Sequence, residues 1–241
     1  MGKKSGSNRL KRLSAPKSWD IQRKAHRFAT KPSPGPYSIY NSYSLGVAMR
    51  DLMKLVLNAR EAEKVLYDSQ VLVDGVPRKD PSFPVGLFNV IEVPKEGTAF
   101  RLIPSRDGLD ARKVSKEQAK LKLCMIKSKS KIDGGHIQYG FHDGRSMRND
   151  TLALSPGDSV VIKVPEQAVV SSIKLSKGSL GMIISGEKAG QMGKITDVKK
   201  GTASKEKMVA ISLPGGDTEL PARMIFPVGA SDAPAIEVQA R

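Results

Sequence analysis

The side chains of this sequence that offer chemistry are mostly cations, and they are clustered. Lys3, Lys4, Arg9, Lys11, Arg12, Lys17, Arg23, Lys24, Arg27 and Lys31 stand in the first 31 residues against Asp20 alone. Others come in pairs, Arg50 with Lys54, Arg60 with Lys64 and Arg78 with Lys79, while Lys188 and Lys194 bracket a glycine-rich loop. Ammonium and guanidinium groups gathered in this way are phosphate ligands. They donate to phosphate oxygens and displace the counterions condensed on a polyanion. Trp19 and His26 are interleaved among them, and Trp19, Ile21, Phe28 and Tyr37 can either stack on bases or pack on the next domain. A charge run is usually a solvated face. Solubility needs no clustering, however, so these cations together with Trp19 and His26 form the candidate nucleic-acid-binding set.

Other chemistries do not assemble. His136 and His142 could share one face of a strand, but no third ligand follows at a suitable spacing, so no metal is expected. No nucleophile–base set forms either, because nothing places Cys124 beside His26, His136 or His142. The run from Gly186 to Lys194 invites comparison with a nucleotide-phosphate loop. It fails on register: Lys188 stands where that motif needs glycine, and Ile195 where it needs a metal-binding Ser or Thr. The expectation is a protein that is not an enzyme, with no cofactor and no small-molecule substrate.

Composition narrows the class. The chain has 241 residues with 40 Lys plus Arg against 24 Asp plus Glu, a formal charge of +16. That length suits two to four small domains, and that charge favours a polyanion, with nucleic acid the leading candidate. One cysteine, Cys124, excludes an internal disulfide framework and any zinc site built from Cys pairs, and a reducing compartment is expected. No apolar run approaches the roughly 18 residues of a membrane span. The basic N-terminus lacks the apolar core of a secretory signal.

The elements that must position the cations are legible in outline, and the fold class expected is α+β with several domains. Residues 1–42 read as a basic unstructured arm, closed by Pro32-Ser33-Pro34-Gly35-Pro36. Residues 43–93 read as a small αα-β module. Leu45, Ala48, Met49, Leu52, Leu55 and Val56 recur at helical spacing, and Asn58 with Glu61 forms a candidate capping box for a second helix that buries Ala62, Val65 and Leu66. Val71 and Val73 alternate as a strand, and Asp74-Gly75 supplies a tight hairpin turn. Residues 94–175 read as a central barrel-like unit of short strands. In it, Lys120-Leu-Lys-Leu-Cys-Met-Ile-Lys127 alternates so as to leave Lys120, Lys122 and Lys127 at or near a wet face. Residues 176–228 read as a C-terminal β-barrel, and 229–241 as a tail without periodic pattern.

The order helix, helix, V-L-V-D-G, basic turn and strand over residues 43–93 resembles the RNA-binding module that small-subunit ribosomal protein S-four shares with pseudouridine synthases and tyrosyl-tRNA synthetases. Where that module often has Arg in the first turn of its second helix, this chain has Ala59 with Arg60 beside it. Ser69 stands where Gly often precedes the strand. The stretch Met182-Ile-Ile-Ser-Gly-Glu-Lys-Ala-Gly-Gln-Met-Gly-Lys-Ile195 is similar to the KOW motif, a β-turn-β inside an SH3-like barrel, with Gly186, Gly190 and Gly193 at its glycine positions. Taken in order, with K-V-S-K-E-Q-A-K-L-K-L-C and D-G-V-P-R-K-D-P-S-F-P-V-G-L-F-N-V-I, the chain resembles the archaeal and eukaryotic S-four ribosomal family. The resemblance implies a structural constituent of the small ribosomal subunit, located there in the cytoplasm, with small-subunit rRNA and neighbouring ribosomal proteins as partners. Two alternatives are an accessory to an RNA-modifying enzyme and a KOW-type transcription elongation factor. The residues left over for the first offer no catalytic site, and the basic arm argues against the second.

Overall fold

The computed structural model describes residues 7, 9–202, 205–230 and 233–237; Lys3 and Lys4 of the candidate set lie outside them. Strands dominate. Three five-stranded antiparallel sheets follow one another along the chain, with two short ribbons before and beside the first.

The arm is not unstructured from residue 9 onward, which corrects the expectation. Leu10–Lys11 pairs with Phe28–Ala29 as a ribbon, and a 3-10 turn covers Arg12–Ser14. The folding comes from a few large side chains docked on the module. Trp19 is 2% exposed, stacks on Tyr43 at 5.3 Å and donates from Nε1 to the Ser42 carbonyl at 2.8 Å. The Tyr43 hydroxyl donates to the Ser18 carbonyl at 2.7 Å and accepts from the Asp20 N–H at 3.1 Å. Low overall hydrophobicity forbids a segment its own core, but it does not stop a tryptophan and a tyrosine from using a neighbour's.

The module begins with Ser42–Ser44 paired to Pro84–Gly86. One helical turn, Leu45–Val47, runs into a π-helical stretch, Ala48–Leu52, where the Met53 N–H reaches the Ala48 carbonyl at 2.9 Å. Leu45, Val47, Ala48 and Met49 are all enclosed, so this short piece is held by packing and not by length. The second helix, Ala59–Tyr67, turns Ala62 and Leu66 into the core. Its capping differs from expectation. Asn58 makes no side-chain cap bond, and the Glu61 carboxylate reaches one residue further back to the Leu57 N–H at 2.8 Å. Ser69 leaves the helix at φ +54°, the left-handed conformation that glycine adopts most easily. The hairpin turn falls at Asp74 (φ +50°) and Gly75 (φ +75°), as the dipeptide predicts.

The first sheet runs in the order Val76–Pro77, Leu72–Val73, Val90–Val93, Thr98–Ser105, Gly108–Val114. It therefore continues past residue 93 without a break. The second runs Ser146–Arg148, Ile137–Phe141, Leu121–Lys131, Ser159–Lys163, Ala168–Ile173. The third runs Gly216–Pro221, Met208–Leu213, Met192–Lys199, Leu180–Ile183, Ile225–Gly229.

The three sheets meet at one apolar seam that includes Phe88, Ile103, Leu123, Val161, Met182 and Phe226, with Phe88 and Phe226 edge to face at 4.8 Å. The tail joins it. Ile236 is 2% exposed, and the Glu237 carbonyl accepts from Arg101 Nη1 at 2.7 Å. Arg101 is fully buried and also donates from Nη2 to the carbonyls of Gln118 and Leu121. Beside the seam lies a polar knot. Lys122, expected at the wet face of its strand, is 0% exposed, with Nζ 2.7 Å from Asp74 and 2.8 Å from Asp143. Arg145 reaches both carboxylates, and Asn89 donates to Asp74 at 2.7 Å. The alternation expected a wet face because nothing local reveals carboxylates from the hairpin turn and from the strand end at Asp143 converging on that lysine.

Candidate nucleic-acid interface

On the helix Ala59–Tyr67, residues four and seven apart share one stripe, so Arg60, Lys64 and Tyr67 line up opposite Ala62 and Leu66. Arg60 and Lys64 are exposed, and Tyr67 is 75% exposed. Lys79, on the limb after the hairpin, brings its ammonium to 5.5 Å from the Tyr67 ring centre, and Arg78 sits 4.5 Å above Phe83. Helix and hairpin thus present one edge of cations with an aromatic plate in it. Lys54 is exposed at the end of the π turn, where its own φ is +55°. Arg50 is different: its guanidinium is half-buried in a two-point pair with Asp51.

The arm sorts its cations in the same way. Arg9, Lys11, Lys17, Lys24, His26 and Arg27 are exposed. Arg12 is 3% exposed and donates to the Gln22 carbonyl. Arg23 forks over the carbonyls of Arg12, Ala15 and Pro16, and Lys31 donates to the Ser7 carbonyl. Arg12 and Arg23 thus bond the arm's own backbone, and Trp19 packs on the module.

Among the described residues Arg9, Lys11, Lys17, Lys24, Arg27, Lys54, Arg60, Lys64 and Lys79 have no carboxylate partner within ion-pair distance. In the third sheet, Lys188 donates to the Thr218 hydroxyl at 2.7 Å and Lys194 is exposed on its strand. The glycine loop between them lies against the first sheet. Gly190 approaches the backbone of Pro104 so closely that a Cβ there would come 2.6 Å from the carbonyl oxygen, and Glu187 faces Arg106 at 3.7 Å.

One cationic rim lay outside the sequence-derived set. The outer half of the strand Leu121–Lys131 exposes Lys127, Lys129 and Lys131, and Lys129 caps the Tyr139 ring at 5.5 Å. The alternation K-S-K-S-K was its signal.

His136 and His142 are held by different partners. His136 pairs with Asp150 at 2.6 Å, while His142 accepts from the Met125 N–H at Nδ1 and donates from Nε2 to the Leu87 carbonyl. Burial, with nearby Lys122, pushes the His142 imidazole down to about 4, so the ring is neutral. Burial opposes the charge on Lys122 as well, but Asp74 and Asp143 outweigh it and hold the ammonium above the usual lysine range. In return, Lys122 overrides the upward push of burial on Asp143 and holds that carboxyl below its usual range. Among the described residues no group of three or more His, Cys, Asp or Glu is placed to hold a metal ion. Among the same residues, no helix is long and apolar enough to cross a membrane.

The chain is similar to known proteins along almost its whole length. The model of ribosomal family S4e matches residues 96–169, and that of the RS4NT domain matches residues 4–39. Small ribosomal subunit protein eS4 of Methanothermobacter thermautotrophicus is 37% identical over 226 residues, covering 93% of each chain. The protein of the same name from Staphylothermus marinus is 36% identical and covers 95% of each. The crystal structure of the 30S ribosomal protein S4e from Thermoplasma acidophilum superposes with a TM-score of 0.70 at 29% identity, over 80% of this chain and 98% of that one. With a shared fold and this level of identity over nearly its full length, the chain belongs to the ribosomal S4e family.

Proposed function

We propose that this chain is a structural constituent of the small ribosomal subunit, where it binds and organises small-subunit rRNA beside neighbouring ribosomal proteins. As a member of the S4e family it is a structural protein and not an enzyme. The observation that carries the reading is the set of solvent-facing cations without internal carboxylate partners: Arg9, Lys11, Lys17, Lys24 and Arg27 on the arm, and Lys54, Arg60, Lys64 and Lys79 on the module. RNA helices packed side by side repel through their phosphates. A folded body with a basic edge neutralises that repulsion where it lodges, releases counterions and so binds with steep salt dependence. Shape and 2′-hydroxyl contacts then choose the site. The names of the relatives, small ribosomal subunit protein eS4, support the same assignment.

The finer architecture belongs to this proposal. We take residues 1–42 as arm, 43–93 as S-four-like module, 94–175 as central unit, 176–228 as a KOW-type SH3-like barrel and 229–241 as tail. The third sheet's strand order and its left-handed Gly186 and Gly190 support the barrel. The continuation of the first sheet to Val114 joins the module directly to the opening strands of the central unit. Sedimentation of cell extracts tests the function: the tagged chain is expected to travel with the small subunit and stay there at moderate salt. Free protein at the top of the gradient, or travel with RNA polymerase, overturns the proposal.

A further inference from the structure

Residues 9–31 pack their largest ring, Trp19, into the core and leave another partly exposed. In the ribbon, Leu10 pairs with Ala29 and Lys11 with Phe28. Directly opposed residues of an antiparallel pair project to the same face, and successive ones to opposite faces. Leu10 and Ala29 accordingly pack on the core of the first sheet, while Lys11 and Phe28 face outward. Phe28 is 42% exposed. Its ring has the Arg27 guanidinium 5.3 Å from its centre on one side. The same arm carries exposed Lys24 and Arg9, with no carboxylate paired to any of these cations among the described residues. The ribbon's packing is supplied by its inner face, so the uncovered part of the Phe28 ring is left open beside these cations.

We propose that Phe28 is a stacking platform for an unpaired base of RNA, clasped by Lys11 and Arg27 through the flanking phosphates. The chemistry selects this occupant. An unstacked base offers a flat π-face to the ring, and every such base carries a phosphate on each side at the reach of a lysine or arginine side chain. A paired helix hides its base faces and would meet only the cations. Phe28 thus separates a looped or bulged nucleotide from duplex, a choice that the cations alone do not make. This inference rests on the rRNA-binding reading above.

The test uses the full chain and small-subunit rRNA transcribed in vitro, with binding measured over a range of salt. Phe28→Ala is expected to weaken binding roughly 5- to 100-fold with an unchanged salt slope, because stacking releases no counterions. Phe28→Trp is expected to restore affinity. Its new indole emission should fall when rRNA binds, while buried Trp19, the chain's only natural tryptophan, reports an intact fold. Wild-type affinity in Phe28→Ala at all salt concentrations overturns the platform and leaves the rRNA reading standing. Unquenched emission from Phe28→Trp bound to rRNA does the same. Failure of the unmodified chain to bind rRNA overturns both.

Discussion

At the seam of the sheets, Lys122 is enclosed between Asp74 and Asp143 with Arg145 alongside; on the outer helix, Arg60 and Lys64 stand in solvent with no carboxylate near enough to pair. The residue types are alike and the physics is opposite. A buried charge must be neutralised from within, or its desolvation dominates, so the knot is internal structure. A solvated charge without a partner adds little to stability and remains free for an external anion. Within the arm the contrast repeats over a few residues: Arg12 and Arg23 face inward onto carbonyls, while Lys11, Lys24 and Arg27 face outward. Basic composition alone therefore overstates a binding surface. The surface is what remains after the cations that build the protein are removed.

The sharpest break would come from the buried side. Lys122→Met removes the fully buried cation between Asp74 and Asp143, leaves them only the partly exposed Arg145, and should cost about 3–5 kcal/mol of stability in denaturant unfolding. A loss under about 1 kcal/mol would mean that the knot behaves like an exposed pair, and the comparison would fail.

Acid should act on the same region. The folded His142 imidazole titrates at about 4 against an ordinary value of 6.5, so between those values the unfolded chain binds the extra proton. Its contribution is complete above pH 6.5 and is lost as pH falls toward 4. Asp143, held below its ordinary range, adds a loss of the same sign at lower pH. Together with burial of the ring, this predicts at most about 3 kcal/mol from the histidine. Thermal melts from pH 7 to pH 4 should show a steeper decline for the parent than for His142→Phe.

A smaller effect is expected at the glycine loop. Gly190 combines φ +86° with its approach to Pro104, so Gly190→Ala should cost about 1–3 kcal/mol in unfolding while rRNA affinity at fixed salt stays within about twofold of the parent. A large drop in affinity in a still-folded variant would place this loop on the binding side of the comparison. The least effect on stability should come from Arg60→Gln with Lys64→Gln, within about 0.5 kcal/mol. Here the readout is the salt slope of rRNA binding, expected to become shallower by roughly 0.7–0.9 for each phosphate that the variant no longer neutralises. An unchanged slope would remove the helix stripe from the interface.

What the sequence reveals in advance is local or compositional. Asp74-Gly75 turns the chain because that dipeptide accepts two positive φ values, whatever surrounds it. Ala62 and Leu66 face inward because of helical spacing. The capping box misses by one residue, because the Glu61 side chain is long enough to reach the next amide back. Trp19 is open between base and core until Tyr43 decides it. At Lys122 the local pattern misleads outright. Alternation K-L-K-L-C carries no trace of carboxylates 48 and 21 positions away, and only chain folding brings them together.

The amino-acid sequence by itself determined the family, the net charge, the turns and the faces of the short elements, because those depend on residue type and near spacing. Which cations face water was decided only by the tertiary structure. A lysine's free energy depends on whether distant chain segments have delivered it a carboxylate or left it in solvent, and that is a property of the packed molecule.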